Sequence, residues 1–93
     1  MIDNAPMLAV ARPPFRLRVW YEAGAVPVYR VEVDHVHEPS LRRRETIPCY
    51  HAPVWGIDAD DMETIRATAE EMTRDLEREL GGEKWAALRS PVL

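Results

Sequence analysis

The feature that most constrains the fold is an apolar stripe with helical spacing in the second half of the chain. Its members recur every three or four residues and therefore share one face of a helix: Met62, Ile65, Ala69, Met72, Leu76 and Leu80. Asp58 or Asp60 can cap this helix, and Gly81-Gly82 is a typical helix end. We therefore predict one long amphipathic helix over residues 59–80, which must bury its stripe against another layer.

The layer that the helix needs is predicted upstream, where apolar and polar residues alternate. Residues 15–22 have a period of two, and a second stretch with the same alternation extends to about residue 37. A shorter third strand is predicted over residues 45–51, and Pro48 favours an edge position for it. The predicted fold class is α+β: a three-stranded antiparallel sheet covered by one long C-terminal amphipathic helix, in the order βββα.

The remaining segments are predicted to be an arm and a loop. Residues 1–14 form a flexible, extended N-terminal arm ending in Pro13-Pro14, and residues 15–93 form a single α+β domain. Residues 38–44 are predicted to be an exposed loop. Because three strands alone leave two edges and one face open, we expect a protein partner and leave open a homodimer.

Charge is distributed unevenly along the chain. Residues 57–84 contain ten acidic and four basic side chains, which argues against nucleic acid as a partner of this segment. The acidic helix face is predicted to contact a protein, and the basic loop is predicted to be a second contact. The predicted partner-binding residues are Glu70, Glu71, Asp75, Glu77, Glu79, Arg42, Arg43 and Arg44.

Cysteine use and hydropathy bear on the compartment. Cys49 is the single cysteine and cannot form an internal disulfide, as is typical of a reducing compartment. No apolar run approaches the roughly 20 residues that a membrane span needs. We therefore expect a cytoplasmic protein with no membrane contact.

The histidines and the cysteine suggest zinc as an alternative. His35 and His37 lie at the end of the second predicted strand, and Cys49 and His51 lie in the third. Residues two apart on a strand share a face, so all four side chains would meet if the loop were symmetric about Arg43. Thiolate and imidazole groups are suitable zinc ligands, although ordinary hydrogen-bonding histidines fit the same pattern. Otherwise no cofactor is expected.

The same residues allow a catalytic hypothesis. Cys49 and His51 could act as nucleophile and base. No third group that would orient them can be named from the sequence, and no phosphate-binding loop or paired-carboxylate motif is present. We therefore expect a protein that is not an enzyme.

A nucleic-acid-binding module is a further alternative. Arg16, Arg18 and Arg30 are predicted to share the outer sheet face with Trp20, a combination that can bind single strands by stacking. Three carboxylates are predicted to share that face and to neutralise it: Glu22, Glu32 and Asp34.

The junction before the helix resembles a known family. Residues 53–65 read PVWGIDADDMETI and are followed by an acidic amphipathic helix, which is similar to HicB-type antitoxin domains. The likeness covers the element order over residues 15–80 and the detail of residues 53–76. It implies a non-catalytic sheet-plus-helix module that dimerises and blocks a small RNA-cleaving toxin. The expected function is thus a protein-binding inhibitor, an antitoxin-like factor or a phage-type blocking protein.

Overall fold

The computed structural model describes the backbone of residues 5–89 and the side chains of residues 5–38 and 40–80. It is an α+β fold with one helix packed on an antiparallel sheet, and the sheet has four strands instead of three. The elements are β1 (Leu8–Arg12), β2 (Phe15–Glu22), β3 (Val28–His35), β4 (Glu38–Pro48) and α1 (Ala59–Arg89). The strands are ordered β1-β2-β3-β4.

Strand β1 corrects the prediction of a flexible arm over residues 1–14. It pairs antiparallel with β2, from Leu8 opposite Val19 to Arg12 opposite Phe15. Pro13-Pro14, joined by a cis peptide bond, connects the two strands. The prediction was wrong because prolines that stop a helix are also compatible with a tight turn between strands. The first four residues of the predicted arm lie outside the described part of the chain.

Strand β4 occupies the segment that was predicted as an exposed loop over residues 38–44. It pairs with β3 from Glu38 opposite His35 to Pro48 opposite Val28, and it ends before the predicted limit at residue 51. The consecutive arginines concealed an alternation of buried and exposed residues, because Leu41 is buried whereas Ser40 and Arg42 on either side of it are exposed. The edge position that Pro48 favours is confirmed by the strand order.

The core lies between α1 and the inner face of the sheet, mainly over β3 and β4. The predicted stripe is confirmed: its members from Ile65 to Leu80 are buried, and Met62 is half-buried. The sheet contributes alternate residues of its strands, among them Val19, Tyr29, Val31 and Val33. The helix thus covers the two C-terminal strands more fully than β1 and β2.

The two ends of α1 differ in how well the sequence predicts them. Asp58 caps the start, since its Oδ2 accepts the backbone N–H of Asp60 at 3.0 Å. The helix continues through Gly81-Gly82 to Arg89, so the predicted end at residue 80 is wrong. Each glycine weakens a helix by about 1 kcal/mol relative to alanine but keeps its backbone hydrogen bond, so good helix formers on both sides can carry the helix past it.

Leu76→Ala should strongly destabilise the protein, because Leu76 is fully buried between α1 and the sheet. We expect a loss of about 2–5 kcal/mol, out of a total of about 5–14 kcal/mol for a domain of this size. Urea denaturation followed by circular dichroism measures the change. The adjacent, exposed Glu77→Ala is the control and should shift stability by less than about 0.5 kcal/mol. Equal effects of the two substitutions would contradict this placement of the stripe.

Candidate functional site

An apolar groove lies on the inner face of the sheet, where α1 leaves β1 and β2 partly uncovered. It encloses about 850 Å³ and is lined mostly by carbon atoms. Leu8, Val10 and Leu17 contribute from the sheet, and Ile65 and Ala69 contribute from the helix. Charged helix residues form the rim: Arg66, Glu70, Arg74 and Glu77. The groove therefore combines an apolar floor with a polar border, as binding clefts commonly do.

The floor of the groove is also an open edge of the sheet. Among residues 5–89, strand β1 pairs only with β2, and Val10 is 40% exposed. Arg12 is its only charged residue, whereas β4 at the opposite edge has charged side chains and two prolines. Charges and prolines discourage the addition of a further strand. Of the two edges, β1 is thus the one able to accept a strand.

The outer face of the sheet carries two cross-strand rows of charged residues, which we call the arginine rows. Arg16, Asp34 and Arg42 face one another across β2, β3 and β4, and one step along the face so do Arg18, Glu32 and Arg44. In each row a carboxylate of the central strand lies between two arginines. As the sequence predicts, arginines, carboxylates and Trp20 lie on the same face of the sheet.

The carboxylates of the arginine rows are buried beneath the guanidinium groups. Glu32 is 5% exposed and Asp34 is 3% exposed, although no helix covers this face within the described residues. Arg18 NH2 lies 2.7 Å from Glu32 Oε1, and Arg44 Nε lies 2.8 Å from Glu32 Oε2. Arg16 NH2 lies 2.7 Å from Asp34 Oδ2, and this hydrogen bond raises the pKa of Arg16. Charge-assisted bonds of this kind hold the guanidinium groups in defined orientations.

The predicted basic contact over Arg42, Arg43 and Arg44 is divided between two faces. Arg42 and Arg44 belong to the outer face. Arg43 lies opposite Val33, on the inner side, and forms an ion pair with Glu79 of α1. Only two of the three arginines are therefore available on one surface.

The predicted acidic contact on α1 is largely engaged in local ion pairs. Glu70 pairs with Arg66, Asp75 pairs with Arg78, and Glu79 pairs with Arg43. Within the described residues, neither Glu71 nor Glu77 has an ion-pair partner. Exposed ion pairs of this kind contribute little to stability. The helix face keeps an acidic surplus, although neighbouring arginines balance much of its charge.

The four predicted zinc ligands do not come together. His35 lies opposite Glu38 at one end of the β3–β4 hairpin. Cys49 follows β4 at the other end, where its N–H donates to the carbonyl oxygen of Pro27. The assumed symmetry about Arg43 was wrong because the turn falls at residues 36–37, so a strand length of roughly 25 Å separates His35 and His37 from Cys49 and His51.

Cys49 and His51 lie instead beside the start of α1. His51 Nδ1 is 3.4 Å from Asp58 Oδ2, and one ligand atom each from His51, Asp58 and Asp60 lies within 4.8 Å of the others. These three exposed residues could hold a cation. The Cys49 thiol donates to the carbonyl oxygen of His51, at 3.3 Å, and not to an imidazole nitrogen. The thiol and the imidazole are therefore not arranged as nucleophile and base.

Asp61 and Tyr29 fix this junction from inside. Asp61 is buried, accepts the backbone N–H of His51 at 3.0 Å and lies 3.9 Å from Cys49 Sγ. The Tyr29 hydroxyl lies 3.5 Å from the His51 carbonyl oxygen, and burial, followed by its hydrogen bond to Cys49, raises the pKa of Tyr29. Sequence reasoning missed this role of Asp61, because an acidic residue in a first helical turn indicates only a favourable interaction with the helix dipole.

Comparisons with known proteins add no family. No family model matches the chain, and no curated protein or solved structure matches it. The resemblance to HicB-type antitoxins therefore stays a prediction. Within residues 5–89, no helix has both the length and the apolar character needed to cross a membrane.

Acid should destabilise the protein through His35, which is fully buried. Burial and the charge of His37 lower the pKa of His35 and outweigh the opposing effects of Glu38 and Asp34. The unfolded chain, with an ordinary value of 6.5, then binds the proton more readily than the folded chain. The folded protein is therefore most stable above pH 6.5. Its free energy of unfolding falls as the pH decreases below 6.5, by at most about 1.4 kcal/mol per pH unit.

The substitution His35→Asn tests this linkage. The asparagine oxygen can replace Nδ1 as the acceptor of the His37 N–H, which lies 3.1 Å away. Urea denaturation between pH 7 and about pH 5 should show a smaller loss of stability in this variant than in the wild type. The matched control is Val36→Asn, an exposed position in the same turn that carries no titratable group, and it should keep the wild-type slope. An unchanged slope in His35→Asn would contradict the prediction.

Proposed function

We propose that this protein is a non-enzymatic protein-binding module that accepts an extended segment of a partner protein in the groove between β1 and α1. The observation that carries the proposal is the apolar groove of about 850 Å³, whose floor is also the open edge of the sheet. A segment that is added to β1 would form backbone hydrogen bonds along the edge. Its alternate side chains would enter the groove.

The lining of the groove defines the chemistry of the segment. Leu8 and Val10 favour apolar side chains at every second position, which is the period of an extended strand. The charged residues around the groove carry both signs, among them Arg12, Arg66, Glu70, Arg74 and Glu77. They select no single charge, so the proposed occupant is a strand-forming segment with alternate apolar residues.

Inhibition is the activity that we propose for such a module. Holding a segment of an enzyme in an extended form would block that enzyme without any chemistry by the module itself. This agrees with what the resemblance to HicB-type antitoxins implies. The inhibitor, antitoxin-like and phage-type blocking functions all belong to this proposal.

A displayed library of random octapeptides tests the groove. Selection against the wild-type protein should enrich peptides with alternate apolar residues, and fluorescence anisotropy then measures their affinity. Val10→Lys places a charge on the floor of the groove, so it should weaken binding at least tenfold, which corresponds to about 1.4 kcal/mol. Val54→Lys is the matched control, because Val54 is 75% exposed in the segment before α1, and it should leave binding unchanged.

Two outcomes would contradict the proposal. The first is the absence of any enriched peptide, and the second is equal binding of the selected peptides to both lysine variants. Sedimentation of the wild-type protein at twice its 10.7 kDa mass, abolished by Val10→Lys, would instead assign the edge to β1 of a second copy.

A further inference from the structure

The arginine rows leave one guanidinium group in excess in each row. Each row has two arginines and one carboxylate, and the carboxylate lies between them on the central strand. Arg18 and Arg44 share Glu32, from which Arg42 NH1 is also 3.8 Å distant. The face therefore carries a local positive charge in a chain whose net charge is −4.

The excess arginines present free donor capacity to solvent. The side chains of Arg42 and Arg44 are 50% and 61% exposed, and that of Arg16 is 46% exposed. A guanidinium group has five N–H donors, so the bonds to Glu32 and Asp34 use only part of them. Because hydrogen bonds to the buried carboxylates already orient Arg16 and Arg44, a ligand would lose less side-chain entropy on binding these two groups.

The spacing of the rows matches an extended peptide. Glu32 and Asp34 are two residues apart on β3, so the rows are separated by about 6.8 Å. Residues at positions i and i+2 of an extended chain project on the same side at the same separation. We propose that this face binds an acidic, extended segment of a protein, with carboxylates at positions i and i+2 that each meet one arginine row.

Two observations favour an acidic peptide over a nucleic acid. Arg18 lies over the ring of Trp20, with its Cζ 5.8 Å from the ring centroid, so it occupies an aromatic face on which a base could otherwise stack. Glu22 lies at the margin of the same depression, which encloses about 580 Å³. A longer phosphate backbone would approach this carboxylate, whereas a short acidic segment ends before it.

The proposed site is separate from the groove, because the arginine rows lie on the outer face of the sheet and the groove lies on the inner face. Each proposal can therefore fail without the other. Val10→Lys should weaken binding in the groove at least tenfold and leave the acidic peptide bound. Substitutions in the arginine rows should weaken binding of the acidic peptide and leave binding in the groove unchanged.

Labelled octapeptides of identical composition test the spacing. One contains a central Glu-Thr-Glu and the other a central Glu-Glu-Thr, each in a neutral background. Fluorescence anisotropy at low salt should show at least fivefold tighter binding of the first peptide. Arg42→Gln/Arg44→Gln should weaken that binding at least tenfold. The matched control is Arg66→Gln/Arg78→Gln, which removes two exposed arginines from α1 and should change binding by less than twofold.

A measurement on the unmodified protein covers the case in which the arginine variant is unfolded. Addition of the Glu-Thr-Glu peptide should shift the Nε–H resonances of Arg42 and Arg44 in nuclear magnetic resonance spectra and leave that of Arg66 in place. Equal affinity of the two peptides, or shifts confined to Arg66, would overturn the proposal. Tighter binding of a labelled single-stranded dodecanucleotide, with the same dependence on Arg42 and Arg44, would overturn it in favour of nucleic acid.

Discussion

The packing of α1 against β3 is the interaction on which the rest of the structure depends. Strand β3 is central, and its alternate residues serve two layers. Val31 and Val33 are buried against the helix, whereas Glu32 and Asp34 point to the opposite face and hold the arginines there. A shift of β3 by one residue would exchange these sets and would bury carboxylates in the apolar core. Both candidate surfaces therefore depend on a single strand register.

The two surfaces differ in their physical basis. The groove exists because one helix is too narrow to cover four strands, so the inner face over β1 and β2 keeps apolar carbon in contact with solvent. The outer face owes its character to charge, because the buried carboxylates of β3 are stable only while arginines surround them. The first surface is suited to apolar side chains and backbone, and the second to anionic groups.

The parts of the fold with strong periodicity could be predicted from the sequence. The stripe from Ile65 to Leu80 and the alternation of residues 15–22 define their elements without tertiary information. Strand β1 could not be predicted in this way, because four small or apolar residues and an arginine before two prolines fit an arm as well as a strand.

The candidate site was less predictable, because it depends on register. The sharing of one face by Arg16, Arg18 and Trp20 follows from a period of two within a single strand. To place Arg42 and Arg44 on this face, one must know where the turn between β3 and β4 lies. The zinc hypothesis arose because that turn was predicted at the wrong residues. The role of Asp61 required the approach of two elements that local sequence does not determine.

The opposite signs of the two layers give the molecule an electric dipole across its thickness. Acidic side chains are concentrated on α1, and the excess arginines lie on the far side of the sheet. In the field of an anionic partner such a molecule turns its sheet towards the partner before they touch, which raises the association rate. Dissolved salt shortens the reach of that field to about 10 Å at 0.1 M, so the orientation acts only at close range in the cell.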